Sequence, residues 1–185
     1  IQLAAHGVAL QLASLTFMIH LGLSNAATVR AGNALGRKDP DHLMHGAKLV
    51  IVMSILVALL TIVVFVSVPE PLISVFLDKD EPDRAEIMKI GALLLLMAGI
   101  FQLVDAAPVL ALGLLRGLRD TKVPMSFAVF SYWVIGAPCS YLLGFVFQFE
   151  GAGVWGGLVV GLAVAAILKT ERFFRLGPKL ALKGA

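Results

Sequence analysis

The feature that most constrains this chain is residues 49–68, an uninterrupted run of twenty residues that contains no charged side chain. At about 1.5 Å of rise per residue, a helix of this length spans the ~30 Å hydrocarbon core of a bilayer. Hydrophobic residues make up 59% of the whole chain, more than the ~45–50% that is typical of soluble domains. The run therefore predicts a transmembrane helix in an integral membrane protein.

Four further apolar runs have the length of a membrane span. We predict an all-α fold, a polytopic integral membrane helix bundle of about five transmembrane helices, over residues 1–170. The predicted spans are residues 3–29, 49–68, 90–115, 123–147 and 152–168, and residues 171–185 are predicted to form a basic cytoplasmic tail on the membrane surface. Because the first run starts at residue 1, without an initiator Met, we expect the chain to be a piece of a longer polypeptide.

The loops between the predicted spans differ in charge. Five spans place twelve of the 15 Lys and Arg residues on one side of the membrane and leave Lys79, Arg84 and Lys89 on the other. Because cytoplasmic loops carry the excess of Lys and Arg, the first side is predicted to be cytoplasmic. The chain then starts externally and ends in the cytoplasm, in a multi-pass protein of the cell inner (plasma) membrane. The basic residues are dispersed over several loops, so nucleic acid is not an expected partner.

Asp105 is the one carboxylate within the five predicted spans. Along a helix it lies roughly 16 Å from Arg116, not far from the middle of the bilayer. A charge at that depth costs at least ~2.5 kcal/mol on insertion scales, so such a residue is a candidate functional site. We predict that Asp105 binds a cation or a proton. The alternative is a neutral Asp105 that is only hydrogen-bonded to a neighbouring helix.

Pro108 follows Asp105 by three residues. It has no N–H to donate to the carbonyl of Val104, and its ring crowds that carbonyl. The sequence therefore predicts a helix break beside the acid and a free backbone acceptor close to it. Membrane transporters build cation and proton sites from such broken helices.

Other residues within the predicted spans are candidates for lining a cavity: Gln11, His20, Phe101 and Tyr132. His20 is either a proton carrier or a neutral histidine that is bonded inside the bundle. The histidine pair in residues 41–45 has one nearby carboxylate, which is weak evidence for a metal, and we predict no metal site.

Glycines mark the last two predicted spans. Gly153, Gly157 and Gly161 follow one another at four-residue spacing, a pattern that lets helices approach closely. We expect this face to pack within the bundle, and dimerisation through it is the alternative. Gly136 and Pro138 interrupt the fourth span, so that span is expected to bend.

Two segments resemble the multidrug and toxic compound extrusion (MATE) transporters. Residues 4–39, AAHGVALQLASLTFMIHLGLSNAATVRAGNALGRKD, are similar to the eighth helix and following loop of that family. Residues 101–124, FQLVDAAPVLALGLLRGLRDTKVP, are similar to its tenth helix and the loop after it. The resemblance covers nearly the whole chain and implies a C-terminal lobe fragment, helices eight to twelve of a twelve-helix protein with two lobes.

The resemblance implies roles for particular residues. Asp105 matches the acid of the tenth helix that is associated with cation binding. Phe101 stands where some sodium-coupled members have a tyrosine, so an oxygen ligand is missing and protons are favoured over sodium. His20 stands where the family usually has a proline in the segment that reads MIHLGLS here, so the eighth helix is expected to be straighter.

These observations favour an ion-coupled antiporter, driven by H⁺ or Na⁺, that exports drugs and other amphipathic or cationic compounds. Its expected partners are drug-like small molecules, membrane lipid and the missing N-terminal lobe of the same polypeptide, and no other cofactor is expected. A lipid-linked oligosaccharide flippase of the same superfamily is the alternative, but the predicted spans contain no Lys or Arg for an anionic cargo. An intramembrane enzyme would need a partner for Asp105 at membrane depth, and none is present in these spans.

Overall fold

The structure, a computed structural model, describes residues 2–77, 83–148 and 150–183. In these ranges the chain is helical, which confirms the all-α prediction. The helices are α1 (Gln2–Gly36), α2 (Pro40–Ser67), α3 (Pro69–Ser74), α4 (Arg84–Gly117), α5 (Lys122–Val129), α6 (Ala137–Tyr141) and α7 (Glu150–Lys183), with π-helical stretches at Phe130–Gly136 and Leu142–Val146. Five helical segments are long and apolar enough to cross a membrane, and the fourth of them, Lys122–Val146, joins α5, α6 and both π-helical stretches.

The first two helices extend beyond their apolar runs, and the predicted loop between them shrinks to residues 37–39. The Asp39 carboxylate accepts a hydrogen bond from the His42 N–H at 2.9 Å, so it caps α2. Pro40 occupies the first position of that helix, where its missing N–H has no consequence. Lys38, at φ 55°, takes the left-handed conformation that ends α1. Local capping, rather than the end of hydrophobicity, therefore sets these helix ends.

The chain forms two compact units, each described here by itself. Unit 1 comprises Ile1–His20 and Met53–Leu103, and unit 2 comprises Leu21–Val52 and Val104–Ala185. The core of unit 1 consists of Val8, Ala9, Leu12, Phe65, Ile73 and Leu95. The core of unit 2 is larger and consists of Ala27, Ala31, Ala34, Leu35, Leu43, Ala47, Val50, Leu110, Leu114, Leu115, Leu118, Phe173 and Ala181.

α3 belongs to unit 1 and follows α2 almost directly. The sequence predicts a short interfacial turn in this region, and the structure gives a helix of 6 residues whose Ile73 is 1% exposed. The acidic stretch that follows, residues 78–82, lies outside the described residues.

In unit 2, α1 and α4 approach each other closely after Asp105. Ser24 Oγ donates a hydrogen bond to the Val109 carbonyl at 2.8 Å, and Thr28 Oγ1 donates one to the Gly113 carbonyl at 2.9 Å. A Cβ atom at Gly113 would overlap the backbone and side chain of Ser24. The glycine is therefore needed for the contact, which fixes this part of α4 against α1.

The glycines of α7 pack against the fourth span. A Cβ at Gly157 would overlap the backbone of Ser140, and a Cβ at Gly153 would overlap that of Leu143. Ser140 Oγ also donates a hydrogen bond to the Val154 carbonyl at 3.0 Å. The prediction that this face packs within the bundle is confirmed. The partner segment is π-helical on both sides of α6, so the expected interruption near Pro138 takes the form of wider helical turns.

The last helix differs from the prediction, because α7 continues through the predicted tail as far as Lys183. Its buried positions recur at every fourth residue: Gly153, Gly157, Gly161, Ala165, Lys169, Phe173, Gly177 and Ala181. Phe173 is 1% exposed and Ala181 is 0% exposed, and both belong to the core of unit 2. Residues 171–183 are therefore part of the packed bundle rather than a separate tail on a membrane surface.

Candidate functional site

Asp105 lies on α4, in unit 2, and its side chain is half-buried. Tyr132, on the fourth span and also in unit 2, is close enough for the two groups to interact electrostatically. Among the side chains that the structure describes, no Lys or Arg forms an ion pair with Asp105. The site therefore offers a carboxylate without a permanent countercharge, which can be balanced by a proton or by a bound cation.

Pro108 is fully buried inside α4, which runs as one helix from Arg84 to Gly117, so the helix is not interrupted where a break was predicted. Because proline has no N–H, the carbonyl of Val104 lacks its usual donor. The Val109 carbonyl, one residue after the proline, accepts the hydrogen bond from Ser24. A carboxylate and a carbonyl that lacks its helical donor thus occupy adjacent positions, 105 and 104, and both are oxygen groups of the kind that small cations prefer as ligands.

A second polar group of residues lies in unit 1, and the sequence indicated only part of it. Gln102 Nε2 donates a hydrogen bond to Thr16 Oγ1 at 2.7 Å. His20 Nδ1 shares a hydrogen bond with Ser54 Oγ at 2.9 Å. His20 Nε2 and Gln102 Oε1 are buried and have no partner within the described residues. The contact with Ser54 favours the bonded-histidine interpretation of His20.

Gln102 and Ser54 were not singled out by the sequence analysis. Each is a polar residue within a predicted apolar span, and each is nearly inaccessible, at 4% and 3% exposure. The signal that could have identified them is their position, because a polar side chain surrounded by apolar residues in a membrane helix faces protein rather than lipid.

The remaining predicted residues differ in exposure. Gln11 is exposed and Phe101 is half-buried, and both belong to unit 1. Tyr132 is 40% exposed. Their role in lining a cavity stays a prediction.

Lys169 corrects one step of the sequence argument. The predicted spans contained no Lys or Arg, yet α7 continues through Lys169, which is 3% exposed. A basic side chain is therefore buried in unit 2. The charge argument against anionic ligands does not hold for this part of the chain.

Comparisons with known proteins agree with the sequence resemblance. A family model described as MatE matches residues 1–142. A protein of Agrobacterium fabrum (strain C58), "Probable multidrug resistance protein NorM", is 47% identical over 176 residues, which cover 95% of this chain and 38% of that protein. "Multidrug resistance protein NorM" of Burkholderia vietnamiensis is 39% identical over 171 residues, which cover 92% of this chain and 37% of that protein.

A solved structure is similar to the fold described here. The crystal structure of the eukaryotic MATE transporter AtDTX14 matches 99% of this chain and 40% of that chain, with a TM-score of 0.76 and 22% identity. Each of these matches covers well under half of the known protein, so this chain corresponds to only part of their length.

Proposed function

This chain belongs to the MatE family, and from that premise we propose that the complete protein is an ion-coupled antiporter that exports drug-like, amphipathic or cationic compounds across the membrane. Relatives named as multidrug resistance proteins support this proposal at 39–47% identity. The protein is then a transporter rather than an enzyme, and the segment that pairs with this chain supplies the other lobe.

The observation that carries the proposal is Asp105. A half-buried carboxylate within a membrane-spanning helix, with no described basic partner, is expensive unless its charge changes during function. When the carboxylate is negative, it attracts a cationic drug or a coupling cation. When it takes up a proton, that attraction is lost and the cargo is released. One group can therefore link ion movement to cargo movement.

We propose protons as the coupling ion. Sodium prefers several oxygen ligands, and Phe101, one helical turn before Asp105, offers none. A proton needs only the carboxylate itself. The hydroxyl of Tyr132, within electrostatic range of Asp105, is available to donate a hydrogen bond to the charged form.

Transport by the complete protein in vesicles tests the proposal. Asp105→Asn keeps the shape of the side chain and removes its titration, so the variant is expected to insert and fold normally but lose export driven by a pH gradient. A second arm with a sodium gradient and no pH gradient identifies the ion. Sodium-driven export at the rate of the pH-driven arm would contradict proton coupling.

Glu171→Gln is the matched control, because it removes a carboxylate that forms an exposed ion pair with Arg175 at 3.0 Å. This variant should transport like the wild-type protein. If Asp105→Asn also pumps at the wild-type rate, Asp105 is not the coupling group.

A further inference from the structure

Lys169 occupies an unusual position for a basic residue. It lies in the four-residue repeat of buried positions on α7, between Ala165 and Phe173, and is 3% exposed. Lysine is almost never fully buried unless its charge is paired. No described carboxylate forms an ion pair with Lys169, and the structure gives its side chain no hydrogen bond.

The surroundings of Lys169 add positive charge. Arg116, at the end of α4, is close enough for its charge to act on Lys169. Arg172, one turn further along α7, is held by Asp120 through an Nε–Oδ2 contact of 2.6 Å. That contact ties the turn after α4 to α7, and it engages the Asp120 carboxylate. Lys169 and Arg116 are therefore left as two like charges without a described counterion.

The net charge of unit 2 is also positive. The unit contains twelve Lys and Arg residues and six Asp and Glu residues. The carbonyl end of α4 brings about half a negative charge to this region, which does not balance two full positive charges. Two like charges held near each other without a counterion repel, and an anion that fits between them would relieve that repulsion.

We propose that Lys169 and Arg116 form a binding site for a phosphate group, supplied by the headgroup of an anionic phospholipid. Arginine and lysine are the side chains that bind phosphate most readily, and basic pockets between membrane helices bind anionic headgroups.

The test measures the thermal stability of the complete transporter, purified in a neutral detergent, with three additions. These are phosphatidylglycerol, phosphatidylcholine and inorganic phosphate. At about tenfold its dissociation constant, phosphatidylglycerol should raise the melting temperature of the wild-type protein by about 1–2 °C. Phosphatidylcholine should not. Inorganic phosphate that gives the same increase would support the phosphate site and assign it to a soluble anion rather than to a lipid.

Lys169→Gln should abolish the increase given by phosphatidylglycerol. Lys179→Gln is the matched control, since it removes the same charge from an exposed position of the same helix, and it should keep the increase. An increase that survives in Lys169→Gln overturns the proposal.

Two further variants test the site even if Lys169→Gln does not fold. Arg116→Gln changes an exposed residue and should reduce the increase without affecting folding, whereas Lys169→Arg should retain it. An unchanged increase in Arg116→Gln, or an equal increase with phosphatidylcholine, also counts against the site.

Discussion

His20 shows at the residue scale how a polar group is accommodated in this bundle. The imidazole is completely buried in unit 1, and its described hydrogen bond is the one that Nδ1 shares with Ser54 Oγ at 2.9 Å. A buried polar atom that loses its partner costs about 1–3 kcal/mol, although bonds between membrane helices average nearer ~0.6 kcal/mol. The Ser54 hydroxyl is therefore expected to contribute measurably to stability.

We predict that Ser54→Ala lowers the free energy of unfolding of the complete protein by about 1 kcal/mol, because His20 then has no described partner at either ring nitrogen. Thermal unfolding in detergent measures the effect. Ser14→Ala is the control, since the Ser14 hydroxyl is exposed and donates to the Leu10 carbonyl of its own helix at 2.8 Å. Equal effects of the two substitutions would contradict the role assigned to Ser54.

The sequence identified Asp105, Pro108 and His20, because each is an exception within an apolar run. It could not identify the partners of these residues, because a hydrogen bond between helices depends on the register of one helix against another. Gln102 and Thr16 are 86 positions apart, and nothing in the local pattern of either helix specifies that they meet. A single unusual residue can therefore be identified from the sequence, while a hydrogen-bonded pair on two different helices cannot.

At the scale of elements, the contact between α7 and the fourth span is the tightest that the glycines create. Gly153 and Gly157 bring the α7 backbone against the backbones of Leu143 and Ser140. Small residues at four-residue spacing predicted this close approach. The pattern could not predict the partner segment or its π-helical turns, which depend on one extra residue per wide turn rather than on hydrophobicity.

We predict that Gly157→Ala destabilises the complete protein by about 1–3 kcal/mol, because the added methyl group overlaps the Ser140 backbone. Gly156→Ala is the matched control on the same helix. There the added Cβ would lie 3.6 Å from Leu143 Cδ1, an ordinary contact, and alanine favours the helix by up to ~1 kcal/mol. Thermal unfolding should separate the two variants. A Gly157→Ala protein as stable as Gly156→Ala would mean that the interface is looser than described.

The end of α7 shows where hydrophobicity is a poor guide to helix length. The predicted span stopped at residue 168 because charged residues begin there, although the helix continues to Lys183. The four-residue spacing of Phe173, Gly177 and Ala181 continues the earlier glycine pattern and was the available signal. Hydropathy predicts which residues can lie in the lipid, whereas the spacing of small and apolar residues predicts which positions are buried against neighbouring helices.

At the scale of the whole molecule, the distribution of charge predicts how the protein sits in the membrane. Twelve of the 15 Lys and Arg residues belong to unit 2, and three belong to unit 1. The same twelve fall on one side in a five-span topology, which is the bias that orients membrane proteins. The cytoplasmic position of that side stays a prediction.

Single cysteines in a Cys139→Ala background test this orientation. A membrane-impermeant maleimide added outside intact cells should label Glu70→Cys and should label Arg37→Cys only after permeabilisation. Both positions are exposed, so access of the reagent and not burial decides the result. Labelling of Arg37→Cys alone from outside would reverse the predicted topology.

The four-residue repeat of buried positions on α7 also limits how that helix can move. Each step of four residues advances about 6 Å along the axis and turns 40° beyond a full revolution, so the buried line is a screw thread with a pitch of roughly 54 Å. From Gly153 to Ala181 the line of buried positions therefore winds about three-quarters of the way around the helix. The segments that pack against α7 therefore contact it along a helical line rather than along a straight stripe. Rotation of α7 about its own axis would break all of these packing contacts together. A rotation coupled to a translation along the axis would keep the buried positions facing the same neighbours.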